Sequence, residues 1–507
     1  MDLSVLATIF STDAAIMCFL GTMLGIIIGA IPGLGSAIGI AVMLPFTYSM
    51  QPMTALVLLA AIYMGCGVGG SISGILLNIP GTSEAIPTTL EGYPMACQGR
   101  AKEALYLAAI SSSVGGVFGC IVLILFAPTL ARVALKFGPA EMGLVAMIGL
   151  AVIASLTGDN MWKGILGACF GMLIATVGLD PVGGRSRFTF GTADLLMGFK
   201  QVALALGLIA GRQMVVEIMK AYKQAKRSGQ SAEQEMRLEK ISPWTVLKNI
   251  FRKDTFNVIK SAIVGNFIGI LPGAGCAIAA YVAYGDAKRT FKKPAGSGVD
   301  SGIIAAETAN NAAVGGTFVP MLALGIPGSN ACALIFGALT VHGIVAGPRL
   351  FTDHSELSYG FMWGLLLSAI FMAIISIAFA PLFCKIIKAK MKYIIPPVVC
   401  CVLLGAFAVR NNMFDVFVAL AFTAVGYVFH KVKIPPAPVF LGFILEPLME
   451  KNFLTAATIA TARKMSLLEY IFDSKVCLII MVVGIVVFYL NFRSVSQQRK
   501  TKKEMEA

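Results

Sequence analysis

Charge is scarce in this sequence. Only 13% of its 507 residues are Asp, Glu, Lys or Arg, while 57% are hydrophobic and mean hydropathy is +0.83. Soluble domains carry roughly 25% charged residues, so a soluble enzyme or binding module is excluded and a polytopic membrane protein is indicated. Histidine is nearly absent, with three residues too scattered for a metal site. The 11 cysteines include no CxxC, most lie in apolar runs, and Cys400-Cys401 are adjacent. They read as small packing residues, not as disulfides or metal ligands. No phosphate loop, nucleophile elbow or metal-ligand set occurs. ATP-driven pumping by this chain alone and catalysis are therefore not expected, and neither is a cofactor. Gly33-Leu-Gly35-Ser-Ala-Ile-Gly39 imitates a dinucleotide fingerprint, but it has one residue too many and lacks the strand-turn-helix context. The start, Met1-Asp-Leu-Ser, lacks the basic region of a signal peptide, so no cleavage is expected there. The net charge of +14 has no nucleic-acid motif beside it and belongs to cytoplasmic loops, which collect Lys and Arg.

What the sequence does have is a repeated apolar Pro-Gly motif. Gly29-Ala-Ile-Pro32-Gly33-Leu-Gly35-Ser36 returns as Gly269-Ile-Leu-Pro272-Gly273-Ala-Gly275-Cys276, and Gly25 and Gly265 extend the match at one constant offset of 240 residues. Each copy has a downstream partner, Asn78-Ile79-Pro80-Gly81-Thr82-Ser83 in the first half and Gly325-Ile326-Pro327-Gly328-Ser329-Asn330 in the second. Proline removes an amide donor and glycine loosens the backbone, so each motif should break a helix. Broken helices at matching places in two halves of an apolar chain mark a transporter's binding site.

Apolar stretches of spanning length fall near 14–48 (broken at Pro32), 54–79, 104–131, 140–157, 162–179 and 201–219. In the second half they fall near 256–284 (broken at Pro272), 303–325, 358–384, 394–409, 413–430 and 474–492. Stretches 331–347 and 436–462 are apolar but interrupted, as half-helices or a tilted span. The predicted fold is an all-α polytopic membrane protein of two pseudo-symmetric repeats with broken or re-entrant helices. Its parts are a first repeat at 1–219, a basic cytoplasmic linker at 220–255, a second repeat at 256–465, and a final helix with a basic tail at 466–507.

The linker holds nine Lys or Arg against four acids. With the clusters at 385–392, 430–433 and 499–503 it should be cytoplasmic. Basic residues flank the segment around Pro272 but not the one around Pro32. Two re-entrant hairpins entering from opposite faces, separated by five spans, would make the repeats inverted. Two kinked full crossings, giving about twelve spans, remain the alternative. Trp244, Leu247, Ile250 and Phe251, among Lys248, Arg252 and Lys253, predict an amphipathic helix lying on the inner leaflet or packed on the protein.

Backbone broken inside a bilayer lines a cavity or is buried in protein, so the Pro-Gly tips should meet near the membrane centre. Helices starting there aim free amides and a positive dipole end at the gap. Ser36, Thr82, Ser83, Ser329 and Asn330 add donors, an arrangement suited to a carboxylate-bearing anion. The expected substrate site comprises Gly33, Gly35, Ser36, Asn78, Pro80, Gly81, Thr82, Ser83, Gly273, Gly275, Cys276, Pro327, Gly328, Ser329 and Asn330. Glu307, Asn310 and Asn311 share one helix face at i, i+3 and i+4. They are expected to bind a coupling cation, or in the case of Glu307 to carry a proton. Glu84 is a further candidate, while Asp159-Asn160 and Asn411-Asn412 read as helix caps.

These motifs, with Gly92-Tyr93-Pro94-Met95, Thr176-Val-Gly178-Leu-Asp180-Pro181, Arg187-Phe-Thr-Phe-Gly191 and Glu307-Thr-Ala-Asn310-Asn311, resemble the large membrane subunit of tripartite tricarboxylate transporters over residues 15–465. Cys276, Thr308 and Glu446 depart from that pattern. The resemblance implies a secondary transporter in a bacterial inner membrane, importing a di- or tricarboxylate such as citrate on a Na⁺ or H⁺ gradient. It implies two partners, a small four-helix membrane subunit and a periplasmic solute-binding protein, besides the lipid membrane; nucleic acid is not one. A self-sufficient carboxylate carrier, and a channel or membrane scaffold, are the alternative readings.

Overall fold

A computed structural model describes residues 12–31, 34–156, 161–180, 183–216, 218–219, 241–271, 275–291, 293–386, 395–408, 410–482 and 484–485. The first half comprises α1 (Thr12–Ala30), α2 (Gly35–Met43), α3 (Pro52–Leu77), α4 (Ile86–Cys97), α5 (Ala101–Ala134), α6 (Pro139–Leu156) and α7 (Met161–Ala175). A two-stranded hairpin of β1 (Gly178–Leu179) and β2 (Ser186–Arg187) follows. Then come α8 (Ala193–Leu196) and α9 (Gln201–Ala205), the latter continued by a π-helical turn, Leu206–Gly211. The second half comprises α10 (Pro243–Lys253), α11 (Thr255–Ile270), α12 (Gly275–Lys288), α13 (Asp300–Leu324), α14 (Asn330–Val341), α15 (Leu350–Asp353), α16 (Ser355–Ile386), α17 (Ile395–Ala408), α18 (Met413–Val432), α19 (Pro436–Ala462) and α20 (Leu467–Asp473). Among the described residues, five helices, α1, α3, α5, α16 and α18, are long and apolar enough to cross a membrane. The chain is an all-α polytopic membrane protein.

The helix breaks fall at the four Pro-Gly motifs. Helix α1 stops at Ala30 and α2 starts at Gly35, whose φ of +57° needs no Cβ; α11 stops at Ile270 and α12 starts at Gly275, with φ +65°. Helix α3 ends on Asn78 in the left-handed region, and α13 ends on Gly325, where Gly325 N–H donates to Met321 O and Ile326 N–H to Pro320 O. The two interrupted stretches take different forms. The stretch 436–462 is one continuous helix, Pro436–Ala462, with Pro447 inside it. The stretch 331–347 is a twelve-residue helix followed by turns. Helix α4 was missed, because its two prolines and its glutamate interrupt any apolar period. The amphipathic helix is present as α10; Val246 and Ile250 are buried against α5, while Trp244 and Phe251 stay exposed.

Packing registers fix the helix directions. Gly21 lies on Leu58 and Ala61, Gly25 on Ile62 and Gly29 on Cys66, so α1 and α3 run parallel. Gly39 lies back against Ile28 and Ile62, so α2 reverses direction and α1–α2 is a hairpin that turns between Ala30 and Gly35. The second half repeats the device. Gly265 lies on Ala309 and Gly269 on Ala313, so α11 runs with α13, while Tyr284 of α12 comes back against Gly302. Between the halves the order is opposite: Tyr63 meets Phe318, Gly67 meets Asn310 and Asn311, and Ser71 meets Glu307. Helices α3 and α13 are therefore antiparallel, and the two hairpins enter with opposite sense. Small residues make this core possible. Gly115 and Gly119 of α5 touch the α13 backbone at Thr308 and Ala312, as tight helix packing in membranes requires. Around this centre, α5 runs with α13 and α16 packs on α3, while α19 packs on α6 and α7.

Candidate functional site

The antiparallel crossing of α3 and α13 gathers the broken motifs. The loop after α3 folds back so that Gly81 N–H donates to Gly70 O at 3.0 Å, and Gly81 lies against Gly29 O beside the first hairpin tip. A Cβ at Gly70 would strike the Thr82 side chain, and one at Gly328 would strike Thr317, so both loops lie tight on their parent helices. The Tyr63 hydroxyl stands 2.9 Å from Ser329 Oγ and 3.3 Å from Cys276 Sγ, joining α3, the second hairpin tip and the loop before α14. Cys332 Sγ donates to Thr317 Oγ1 at 3.1 Å, and Ser329 caps α14 by accepting from Cys332 N–H at 3.2 Å. Residues 83–85 touch α12, and Glu84 is near enough to Cys276 and Cys66 to act on both electrostatically. Helix α14 in turn touches α2.

Four helix starts thus converge: Gly35, the short turn Ser83–Ala85 leading into α4, Gly275 and Asn330. No side chain caps α2 or the Ser83–Ala85 turn. Free amides and positive dipole ends aimed at one region suit an anion. Of the expected site residues, Gly81, Thr82, Cys276, Pro327 and Gly328 are buried. Gly35, Ser36, Pro80, Gly275, Ser329 and Asn330 are partly exposed. Asn78 and Ser83 are exposed; Asn78 ends α3, and Ser83 donates to Glu84 at 3.0 Å. Gly33 and Gly273, with Pro32, Pro272 and Asn160, lie outside the described residues. Asn412 does cap α18, accepting from Phe414 N–H at 2.9 Å.

Glu307, Asn310 and Asn311 are fully buried on α13. The Glu307 carboxylate accepts from Ser71 of α3, Thr88 of α4 and, at 2.6 Å, Ser112 of α5. One side chain of the second half thereby holds three helices of the first. Its hydroxyl partners were not foreseen, although Ser71, Ser73 and the run Ser111-Ser112-Ser113 stand out as hydroxyls in apolar helices. Glu91 was missed entirely. It is buried on α4 and accepts from Tyr284 Oη at 2.9 Å and from the N–H groups of Gly296 (2.8 Å), Gly298 (3.0 Å) and Val299 (2.9 Å). Beside it, Gln98 donates to Ser297 O and Arg100 bridges Glu103 and Asp300. This cluster fixes the segment between α12 and α13 to the end of α4.

Among known proteins, the chain is similar to a 52.8 kDa protein of Agrobacterium vitis described as uncharacterized, in the TAR-I ttuC' 3' region. Identity is 34% over 447 residues, covering 88% of this chain and 87% of that one. A second A. vitis protein, described as uncharacterized in the TAR-II ttuC' 3' region, is 34% identical over 198 residues, which are 39% of this chain and 82% of that one. No solved structure matches. The family model of the tripartite tricarboxylate transporter TctA family matches residues 15–441. With that match running from the first hairpin into α19, the chain belongs to the tripartite tricarboxylate transporter TctA family.

Proposed function

We propose that this chain is the large transmembrane subunit of a binding-protein-dependent secondary transporter that imports a di- or tricarboxylate on a Na⁺ or H⁺ gradient. The observation that carries this reading is the convergence of four helix starts, two of them hairpin tips of opposite sense, at the α3–α13 crossing. A polycarboxylate offers several oxygens to such amide groups, and no buried Lys or Arg is needed to hold it. Opposed hairpins also supply a gate on each side of one central site, which is what alternating access requires. The two halves act as inverted repeats in this reading. The basic linker before α11 is cytoplasmic, so the second hairpin enters from the cytoplasm and the first from outside, where a binding protein delivers substrate. Cys276, Thr82, Ser329 and the α2 amides contact the substrate.

Reconstitution tests the reading. The chain is placed in proteoliposomes with or without its small subunit and a solute-binding protein, and labelled di- and tricarboxylates are offered under imposed Na⁺ or H⁺ gradients. Accumulation only with all three components is expected. Uptake by this chain alone would replace the tripartite reading with a self-sufficient carrier, and leakage independent of any gradient would replace it with a channel.

A further inference from the structure

Helix α10 carries three kinds of surface. Val246 and Ile250 are buried against α5. Trp244, Lys248, Phe251 and Arg252, at spacings of four, seven and eight, share another face, and all four are exposed. Helical geometry puts Trp244 and Phe251 on one edge of that face, beside half-buried Leu247, and Lys248 and Arg252 on the other, with Lys253 beyond them. The indole is 72% exposed. The apolar edge continues onto α11, where Phe256, Ile259, Ile263 and Phe267 are exposed at spacings of three, four and four. In a polytopic membrane protein such a stripe faces acyl chains. The turn at Asp254 between the two helices then marks the depth of the headgroups.

Lys248, Arg252 and Lys253 are exposed and form no ion pair among the described residues. Asp254, the next residue, accepts from Ser301 Oγ at 2.6 Å, and the next cation along, Lys260, is paired with Asp286. We infer that this face of α10 docks on the anionic phospholipid surface of the leaflet it meets. Trp244 and Phe251 sink among the acyl chains, and Lys248, Arg252 and Lys253 lie on headgroup phosphates. Tryptophan favours that boundary, and the long stems of Lys and Arg reach from it to the phosphates. Apolar area and basic charge on one helix are the two terms that bind such a helix to an anionic bilayer. The continuation of the apolar edge onto α11 selects lipid over a soluble acidic partner, which has no hydrocarbon to cover both helices. Val246 and Ile250 tie α10 to α5, and the Asp254–Ser301 bond ties its end to α13. The entry to the second hairpin is thereby held at the membrane surface.

The inference rests on the membrane class of the chain and not on the transport reading. The test uses the full-length chain with Trp162→Phe and Trp363→Phe, which leaves Trp244 as the remaining tryptophan of three. It is placed in nanodiscs of phosphatidylcholine with a minor share of phosphatidylglycerol. One lipid or the other carries bromine on its acyl chains, which quenches tryptophan emission on contact. At equal quencher content, brominated phosphatidylglycerol should quench Trp244 as a lipid preferred about fivefold or more, the worth of one basic residue at an anionic surface. High salt should shrink that preference. Lys248→Gln, Arg252→Gln and Lys253→Gln together should bring the two lipids level while quenching itself persists, because the apolar edge is intact. An unchanged melting curve shows that this variant is folded. Quenching by neither lipid would mean that something other than lipid covers α10, and overturns the inference. Equal quenching by both lipids before the basic residues are changed, or a preference that the triple variant keeps, overturns it as well.

Discussion

Glu91 is a buried carboxylate whose acceptor capacity is filled by three backbone amides and a tyrosine hydroxyl from the other half of the chain. Removing it leaves the Tyr284 hydroxyl and the Gly298 N–H buried and unpaired, the costly direction of a hydrogen-bond deletion. Glu91→Ala is expected to destabilise the protein by ~3 kcal/mol and to expose the amides of Gly296, Gly298 and Val299 to hydrogen exchange. Thermal melting and exchange in nanodiscs check this, and an unchanged melting curve would show the cluster to be idle. The sequence announces Glu307 through the spacing of Glu307, Asn310 and Asn311, but it gives no sign of Glu91. The reason is physical: the partners of Glu91 lie 193–208 residues away, and backbone amides carry no side-chain signal.

Helices here meet through glycine, and the cost of a methyl group depends on what faces it. Gly119 of α5 packs directly on Ala312 O of α13, so a Cβ there must push the helices apart. Gly285, inside α12, has nothing within 4 Å of an added Cβ. Gly119→Ala should cost roughly 1–3 kcal/mol as overpacking, and Gly285→Ala should gain about 0.5–1 kcal/mol from lost chain entropy. Melting of the two variants side by side tests the pair; equal effects would mean the α5–α13 contact is looser than described. At this scale most elements were legible, because span length and Pro-Gly breaks are local properties of the chain. Helix α4 was not, since its Thr88 and Glu91 are polar residues tolerated inside the protein only because Glu307, Tyr284 and the 296–299 backbone satisfy them.

Across the whole molecule, the antiparallel crossing of α3 and α13 sets the hairpins in opposite sense. Ser49, just past the first hairpin, and Lys293, just past the second, are both exposed and should then lie on opposite faces of the membrane. With the exposed native Cys97, Cys169 and Cys400 replaced, Ser49→Cys should react with an impermeant thiol reagent from outside the cell and Lys293→Cys only after permeabilisation. Labelling of both from one side would remove the opposed hairpins, and with them the two-gate reading.

The sequence by itself determined the membrane class, the positions of most of the helices and the four places where they break, because hydrophobic run length, proline and glycine act within a few residues. It also supplied the motifs of the TctA family. Whether a broken segment crosses the bilayer or turns back was decided only by tertiary packing, when Gly39 returned to Ile28 and Tyr284 to Gly302. The same packing chose the partners of Glu307, which stand 195–236 residues away on three helices. No periodicity in the chain encodes those pairings. They follow from glycine faces that let α3, α5 and α13 approach closely enough for their few hydroxyls and amides to meet.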